Sequence, residues 1–386
     1  MIKINKNIIL TLSIISILII STILTGCNQT TQENETIKIG VIVPLTNSVL
    51  ASRGIDTKKS LELAVNEINS DGGINGKKIK LIIEDNEGKA DKSLNSLNKL
   101  LMQDGKVNIF YSLFTGPTIA ITPIIKENNK LLIYQSTVLS MARENNSYIC
   151  NDYWNFEILG TKFAEIAYGE KANKVGLIRS QTEYGQSFEN FFKKRADELG
   201  LDYTIETFQL SDKDVNTQIT KFKYNGVDLI ISDGFANNYL NLLNAINSLN
   251  YYNLTLIGTT TLYDVSKLDD PAALDILKKV KAISVYHPIN EWPEGFEIFL
   301  NKWNNISSSH PLTEAIYAYD DMIILAKALK YCDLNSNIED TKCLYEQIKS
   351  NKFNVLEGNV NIDENCIFER KLRVLKYNLG QWENYE

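Results

Sequence analysis

Histidine is almost absent from this chain. The 386 residues include two, His287 and His310, and each stands directly before a proline, which favours loop positions. Metal coordination and histidine-based proton transfer are therefore short of their usual side chain. The five cysteines include no Cys-x-x-Cys spacing, so zinc and thioredoxin patterns have no support. No Gly-x-Ser-x-Gly elbow and no phosphate-binding Gly-rich loop occurs, which removes the usual signatures of hydrolases and nucleotide enzymes. The net charge is −7 and no long block of lysine and arginine interrupts it, which argues against a nucleic-acid partner. These gaps lead us to expect no metal, no cofactor and no catalytic residues.

What is present begins at the N-terminus. Lys3 and Lys6 precede an apolar run from Ile8 to Ile23, which ends at Leu24-Thr25-Gly26-Cys27. A basic start, a short apolar stretch and a small-residue stop form an export signal. The cysteine at the stop makes it a lipobox, the signal of bacterial lipoproteins. We expect cleavage before Cys27, lipid on its sulfur, and attachment to the outer face of the cytoplasmic membrane or residence in the periplasm. The alternative is an uncleaved anchor. The run is short for a span of ~20 residues, and no basic flank follows it. Removing residues 1–26 leaves 360 residues and, with two lysines gone, a charge of −9. That length suits two domains. Asn28 to Glu35 is polar and reads as part of a tether over 27–36.

From Ile37 the chain alternates strand and helix. Strands are expected at Ile37–Pro44, Ile79–Glu84, Val107–Tyr111 and Leu131–Tyr134. Helices are expected at 55–69, 93–102 and 118–128, and in the first of them Leu61, Ala64, Val65 and Ile68 form one apolar stripe. Asp71-Gly72-Gly73 should stop the first helix. The pattern restarts with strands at Lys174–Ile178, Asp202–Phe208, Leu229–Ser232 and Leu254–Ile257, separated by helices at 185–199, 215–224 and 237–249. Such alternation implies parallel sheets with helices on both faces, and two runs imply two similar lobes. After a strand at Lys281–Tyr286 come helices at 296–304, 314–330 and 344–350. Gly358–Ile362 and Arg370–Tyr377 read as an antiparallel pair around Asp363–Asn365.

With Cys27 assigned to lipid, Cys332 and Cys343 flank a polar loop between two helical patterns, and in an exported chain they are a candidate disulfide. Cys150 and Cys366 either pair or stay as buried thiols.

Four stretches carry a resemblance. They are Ile39–Thr46 with Ala64–Asn69 and Gly72-Gly73-Ile74-Asn75-Gly76-Lys77; Glu183-Tyr184-Gly185; Ala315–Asp320 (AIYAYD); and Leu356–Asp363 (LEGNVNID). In this order they resemble the type I periplasmic binding proteins, nearest to the leucine/isoleucine/valine-binding and amide-binding receptors of ABC importers. The resemblance covers nearly all of 37–386. It implies two doubly wound parallel-sheet lobes joined by a three-strand hinge, with lobe 1 formed by 37–156 and 286–355 and lobe 2 by 157–285 and 356–386. It implies a monomeric receptor that closes on a small polar solute (amino acid, amide or urea-like) and presents it to permease and ATPase subunits. A sensor serving a membrane signalling partner is the alternative, and an exported α/β hydrolase-type enzyme is a third.

In open parallel sheets, ligands sit beyond the carboxyl ends of strands, beside helix N-termini. The resemblance places there Thr115, where the family has a carboxylate-binding Ser, and Ser136, Thr137 and Val138, where it commonly has Ser-Pro-x-Ala-Thr. Tyr184 and Phe235 match aromatic positions that cover the solute. Thr260 falls where leucine-type receptors carry the Glu that takes the α-ammonium group, so the Thr259–Thr261 run supplies hydroxyls without charge. Asp233, at a strand end, either replaces that acid or caps the helix near Asn237. Asn47, Ser52 and Arg53 follow the first strand and are within reach of the cleft.

Overall fold

The computed structural model describes residues 36–46, 50–104, 107–138, 140–143, 148–153, 155–266, 270–286, 294–334, 340–356, 358–370 and 372–385. Cys27 and Asn47 lie outside them.

The first sheet contains β1 (Ile37–Val43), β2 (Ile79–Asp85), β3 (Ile109–Leu113), β4 (Leu131–Gln135) and β5 (Ile149–Asn151), all parallel, in the order β2-β1-β3-β4-β5. Strands β3, β4 and β5 are buried throughout, which is why they read as continuous apolar runs and not as alternating ones. Helices α1 (Ala51–Ser70), α2 (Ala90–Asp104) and α3 (Thr115–Glu127) make the crossovers.

The second sheet repeats this winding. Its parallel part contains β6 (Val175–Ser180), β7 (Tyr203–Phe208), β8 (Leu229–Ser232), β9 (Thr255–Gly258) and β10 (Lys281–Tyr286), in the order β7-β6-β8-β9-β10. Counted within its own lobe, that is the order of the first sheet. In both lobes the strand order reverses beside the first strand, and there a doubly wound sheet opens a crevice. The helices are α4 (Phe156–Gly169), α5 (Glu183–Leu199), α6 (Asn216–Tyr224), α7 (Ala236–Ser248), α8 (Thr260–Val265) and α9 (Pro271–Leu277).

The chain then returns to the first lobe. After α10 (Glu294–Trp303), the long α11 (Thr313–Leu334) packs along α1, and α12 (Thr341–Ser350) packs on α11. Ser60 Oγ donates to the Ala315 carbonyl at 2.5 Å, and Lys77 and Asn75 meet Asp333. A disulfide joins Cys332 to Cys343 across the α11–α12 connection.

Three expectations change. The segment 136–173, to which the sequence pattern assigned no element, contains β5 and α4; Asn155 caps α4 by accepting from Ile158 N, and Leu159, Phe163 and Ile166 supply its buried face. Helix α3 begins at Thr115, three residues before its expected start. The expected hairpin of Gly358–Ile362 with Arg370–Tyr377 is also replaced. β12 (Gly358–Val360) pairs with β11 (Phe353–Val355), while β13 (Arg373–Asn378) pairs with β10 and with β14 (Gln381–Asn384), extending the second sheet antiparallel. Of that hairpin an isolated Ile362–Phe368 bridge remains. The open edge of β10 offers a full row of backbone partners, which a turn around Asp363 cannot match.

Two of the crossings between lobes are described, and they run side by side. Asn151 and Ile367 form a parallel bridge, and Cys150 is disulfide-bonded to Cys366. Beside them Arg370, with no exposed side-chain surface, donates to both oxygens of Asp152 (2.6 and 2.5 Å) and to Asp320 (3.0 Å). Its guanidinium stacks 4.2 Å from the Tyr317 ring centroid. The crossing after β10 falls in 287–293, outside the described residues.

Candidate functional site

Strand ends and helix starts from both lobes converge on one enclosed space. On the first-lobe side, β3 ends at Leu113 and the chain turns through Phe114 in a left-handed conformation (φ 72°) into α3. The turn places Thr115 in the helix's first position, where its Oγ1 lies 2.8 Å from Ser136 Oγ. Thr137 follows on the loop after β4; it is buried, and its hydroxyl has no hydrogen-bond partner among the described residues. The preceding Gln135 directs its amide N–H groups to Tyr111 (2.5 Å), Asp321 (3.2 Å) and the Glu314 carbonyl (3.2 Å), leaving its Oε1 without a partner.

The second-lobe wall is aromatic and hydroxylic. Tyr184 stands in the first turn of α5, Phe235 is the N-cap residue of α7, and Thr259–Thr261 lead from β9 into α8. The Tyr184 and Phe235 rings are 6.0 Å apart, and Phe235 meets Phe114 of the opposite wall edge-on at 6.1 Å. Gly185 makes this wall possible. A Cβ there would lie 2.2 Å from the Ser180 carbonyl and 2.8 Å from Asp233, so only glycine lets α5 start this close to the ends of β6 and β8.

The charged centre is Arg53. Helix α1 starts four residues before its expected first turn, and Gly54 seats it against the end of β1; a Cβ at Gly54 would meet the Pro44 carbonyl at 1.8 Å. Arg53 is thereby aimed inward, into the cleft it was expected to reach, and is 5% exposed. Its Nη1 donates to both Glu314 oxygens at 2.6 Å, and its Nη2 donates to Thr261 Oγ1 at 2.9 Å and lies 3.5 Å from Asp264. Tyr153 donates to Glu314 at 2.9 Å. Burial pushes Asp264 up to about 7, with Arg53 opposing and Glu314 reinforcing the shift.

These walls enclose about 30 Å³, room for about two waters. A larger solute requires the walls to part or Arg53 to move.

Of the residues named from sequence, Thr115, Ser136, Thr137, Tyr184, Phe235, Thr260 and Arg53 line this space. Val138 does not; its N–H turns back to Ser136 Oγ at 3.3 Å. Ser52 is exposed on the outer face of α1. Asp233 fills neither expected role. Its carboxylate accepts from Ser180 N (2.8 Å) and Ser180 Oγ (2.9 Å), tying the end of β8 to the end of β6 beneath the wall. The cap position of α7 belongs to Phe235. The acids that meet Arg53 are Glu314 and Asp264, neither of which carries a local signal of that role. Thr313-Glu314 looks like an ordinary helix start, and Glu314 immediately precedes the Ala315–Asp320 motif. Among the described residues no cluster of three or more His, Cys, Asp or Glu is arranged to hold a metal.

Comparison with known proteins agrees with the fold. Residues 36–381 match the family model described as periplasmic binding protein. A Leu/Ile/Val-binding protein homolog 2 of Brucella abortus is 30% identical over 209 residues, covering 51% of this chain and 54% of the relative. The chain spans about half the length of the curated relatives it matches. Two solved structures show the same fold. One is LivJ, a branched-chain amino acid transporter substrate-binding protein of Streptococcus pneumoniae in complex with isoleucine (TM-score 0.76, 21% identity, 90% of this chain and 98% of that one). The other is a solute-binding protein of an ABC transporter from Rhodopseudomonas palustris in complex with 3,4-dihydroxybenzoic acid (TM-score 0.78, 20% identity, 90% and 95%).

Proposed function

Because this chain belongs to the periplasmic binding protein family, we propose that it is a lipid-anchored receptor that captures a small polar solute between its lobes and delivers it to an ABC importer. It is a binding protein and not an enzyme, as its relatives are. The observation that carries the reading is a single interlobe space whose two ends differ in chemistry. At one end Thr115, Ser136 and Thr137 offer hydroxyls beside the N-terminus of α3, which suits a carboxylate or carbonyl oxygen. At the other end stands Glu314, the acid that the Thr259–Thr261 run does not supply. Between them Tyr184 and Phe235 offer flat apolar area at small entropic cost. An amino acid or amide matches both ends; a urea-like solute matches the hydroxyl end.

Capture then works by hinge motion between lobe 1 (37–156 and 286–355) and lobe 2 (157–285 and 356–386). The solute binds one wall of the parted cleft, and closure removes it from water and creates the surface a permease reads. The lipid on Cys27 keeps the monomeric receptor at the membrane. No described helix is long and apolar enough to cross a bilayer.

Two experiments test the proposal. Mass spectrometry of small molecules released on denaturing the purified protein should identify one predominant polar solute, and that compound should raise the melting temperature of the stripped protein. A stripped protein that no amino acid, amide or released compound stabilises would count against solute capture. Cys27→Ser should abolish lipid labelling and release the protein from membranes; unchanged anchoring would remove the lipoprotein reading.

A further inference from the structure

Arg53 belongs to lobe 1, but not all of its contacts do. Glu314, its bidentate partner, also belongs to lobe 1, because α11 packs along α1. Thr261 Oγ1, the Asp264 carboxylate and the Phe235 ring, 5.5 Å from the guanidinium, all belong to lobe 2. One side chain thus carries a hydrogen bond, an ion pair and a cation–π contact across the cleft. These contacts run from protein to protein and need no third molecule. Other contacts across the mouth include Phe114 against Phe235, and Gly116 close to the Glu183 carboxylate.

We propose that Arg53 is an interlobe latch. It holds the two walls together when no solute is bound, and it sets how readily the cleft admits one. The asymmetry of its partners explains how a latch can release. When the lobes part, Arg53 keeps both bonds to Glu314 and stays charged and paired on lobe 1. Thr261 and Asp264 move away into water, where each is satisfied. Asp264, whose burial is otherwise uncompensated at Oδ2, regains hydration as it leaves. The latch is therefore moderate, strong enough to bias the closed form and weak enough for a solute to compete with. The apparent affinity for any solute is then scaled by the fraction of open receptor, so a firmer latch means slower and weaker capture. Arg53 also selects. Glu314 and Asp264 share a single cation, so a solute presenting a second anion to this end meets surplus negative charge, whereas one presenting an ammonium or amide N–H does not.

The latch concerns the cleft assigned above to the solute, but its test needs no solute. Protein stripped by unfolding and refolding with its disulfides intact is measured by small-angle scattering as wild type, as Arg53→Met, which keeps the alkyl stem, and as Thr261→Val/Asp264→Asn, which removes the latch from the other lobe. Both variants should be more open than wild type, with a larger radius of gyration, as hinge opening gives. If Arg53→Met does not fold, the lobe 2 variant carries the test, since its changes leave the Arg53–Glu314 pair intact. Equal radii for wild type and the folded variants would overturn the latch, even if a solute binds. A latch that opens as described in a protein no solute compacts would instead overturn the capture reading alone.

Discussion

Arg370 and Arg53 occupy similar surroundings in two regions with different tasks. Each guanidinium is buried, lies between two carboxylates and faces an aromatic ring. At the hinge, Arg370 reaches Asp152 with two bonds of 2.6 and 2.5 Å, in a site with no exposed side-chain surface and beside the Cys150–Cys366 disulfide. Those partners sit on the two crossings and on α11, at the pivot, where a hinge rotation displaces them least. In the cleft, Arg53 holds Glu314 at 2.6 Å but Asp264 only at 3.5 Å, and its second-lobe partners must separate for the cleft to open. The same chemistry supports a lasting joint at the pivot, where the partners need not separate, and a releasable contact across the mouth, where they must.

A large effect should come from breaking the hinge side. Arg370→Met leaves Asp152 and Asp320 buried without their cation, and it should lower the unfolding free energy by roughly 3–5 kcal/mol. Arg53→Met should cost clearly less in the same urea titration, because opening the lobes hydrates Glu314. Equal losses would erase the distinction between joint and latch.

The two disulfides sharpen the comparison further. Cys150–Cys366 spans 216 residues of sequence and Cys332–Cys343 spans 11. On chain entropy alone, removing the hinge bridge as a Cys→Ser pair should cost about 5 kcal/mol and removing the other about 3 kcal/mol. Peptide mapping without reduction should recover both links, and free thiols at any of the four positions would contradict the structure.

Asp233 should give a smaller effect that appears only with pH. It is buried beneath the cleft wall and pushed up to about 7 by burial, against the pull of its Ser180 hydrogen bonds. An acid whose folded pKa exceeds its unfolded value binds more protons folded than unfolded. Its contribution is complete below the unfolded value, near 4, and is lost as pH rises through about 7. Asp233→Asn should therefore flatten the decline of melting temperature between pH 4 and 7. An unchanged pH profile would show that Asp233 titrates normally.

The architecture was legible because strand and helix periodicities differ and each lobe repeats one winding. The position of the cleft was legible too, since parallel sheets bind at strand ends, and six of the eight ligand positions named from sequence line the cavity. What was not legible depends on distance along the chain. Arg53 and Glu314 are 261 residues apart, and nothing local to either shows that α11 brings them together. Asp264 sits in a short helix, α8, that has too few turns for a periodic signal. Asp233 was misread because a carboxylate at a strand end has two local uses, solute or cap. The use it has, a clamp on Ser180, depends on β8 lying beside β6. The strand at Gly358–Val360 was assigned the wrong partner because pairing depends on which sheet edge is free.

The central claim is that the solute lies between the Thr137 hydroxyl and the Glu314 carboxylate. The most direct measurement is calorimetry of the compound released from the native protein against wild type, Thr137→Val, Glu314→Gln and Asp233→Asn. Thr137→Val and Glu314→Gln should each weaken binding by about ten-fold or more, about 1.4 kcal/mol, and Asp233→Asn should leave it within about two-fold. Undiminished affinity in Thr137→Val and Glu314→Gln, or a loss confined to Asp233→Asn, would contradict this placement of the site.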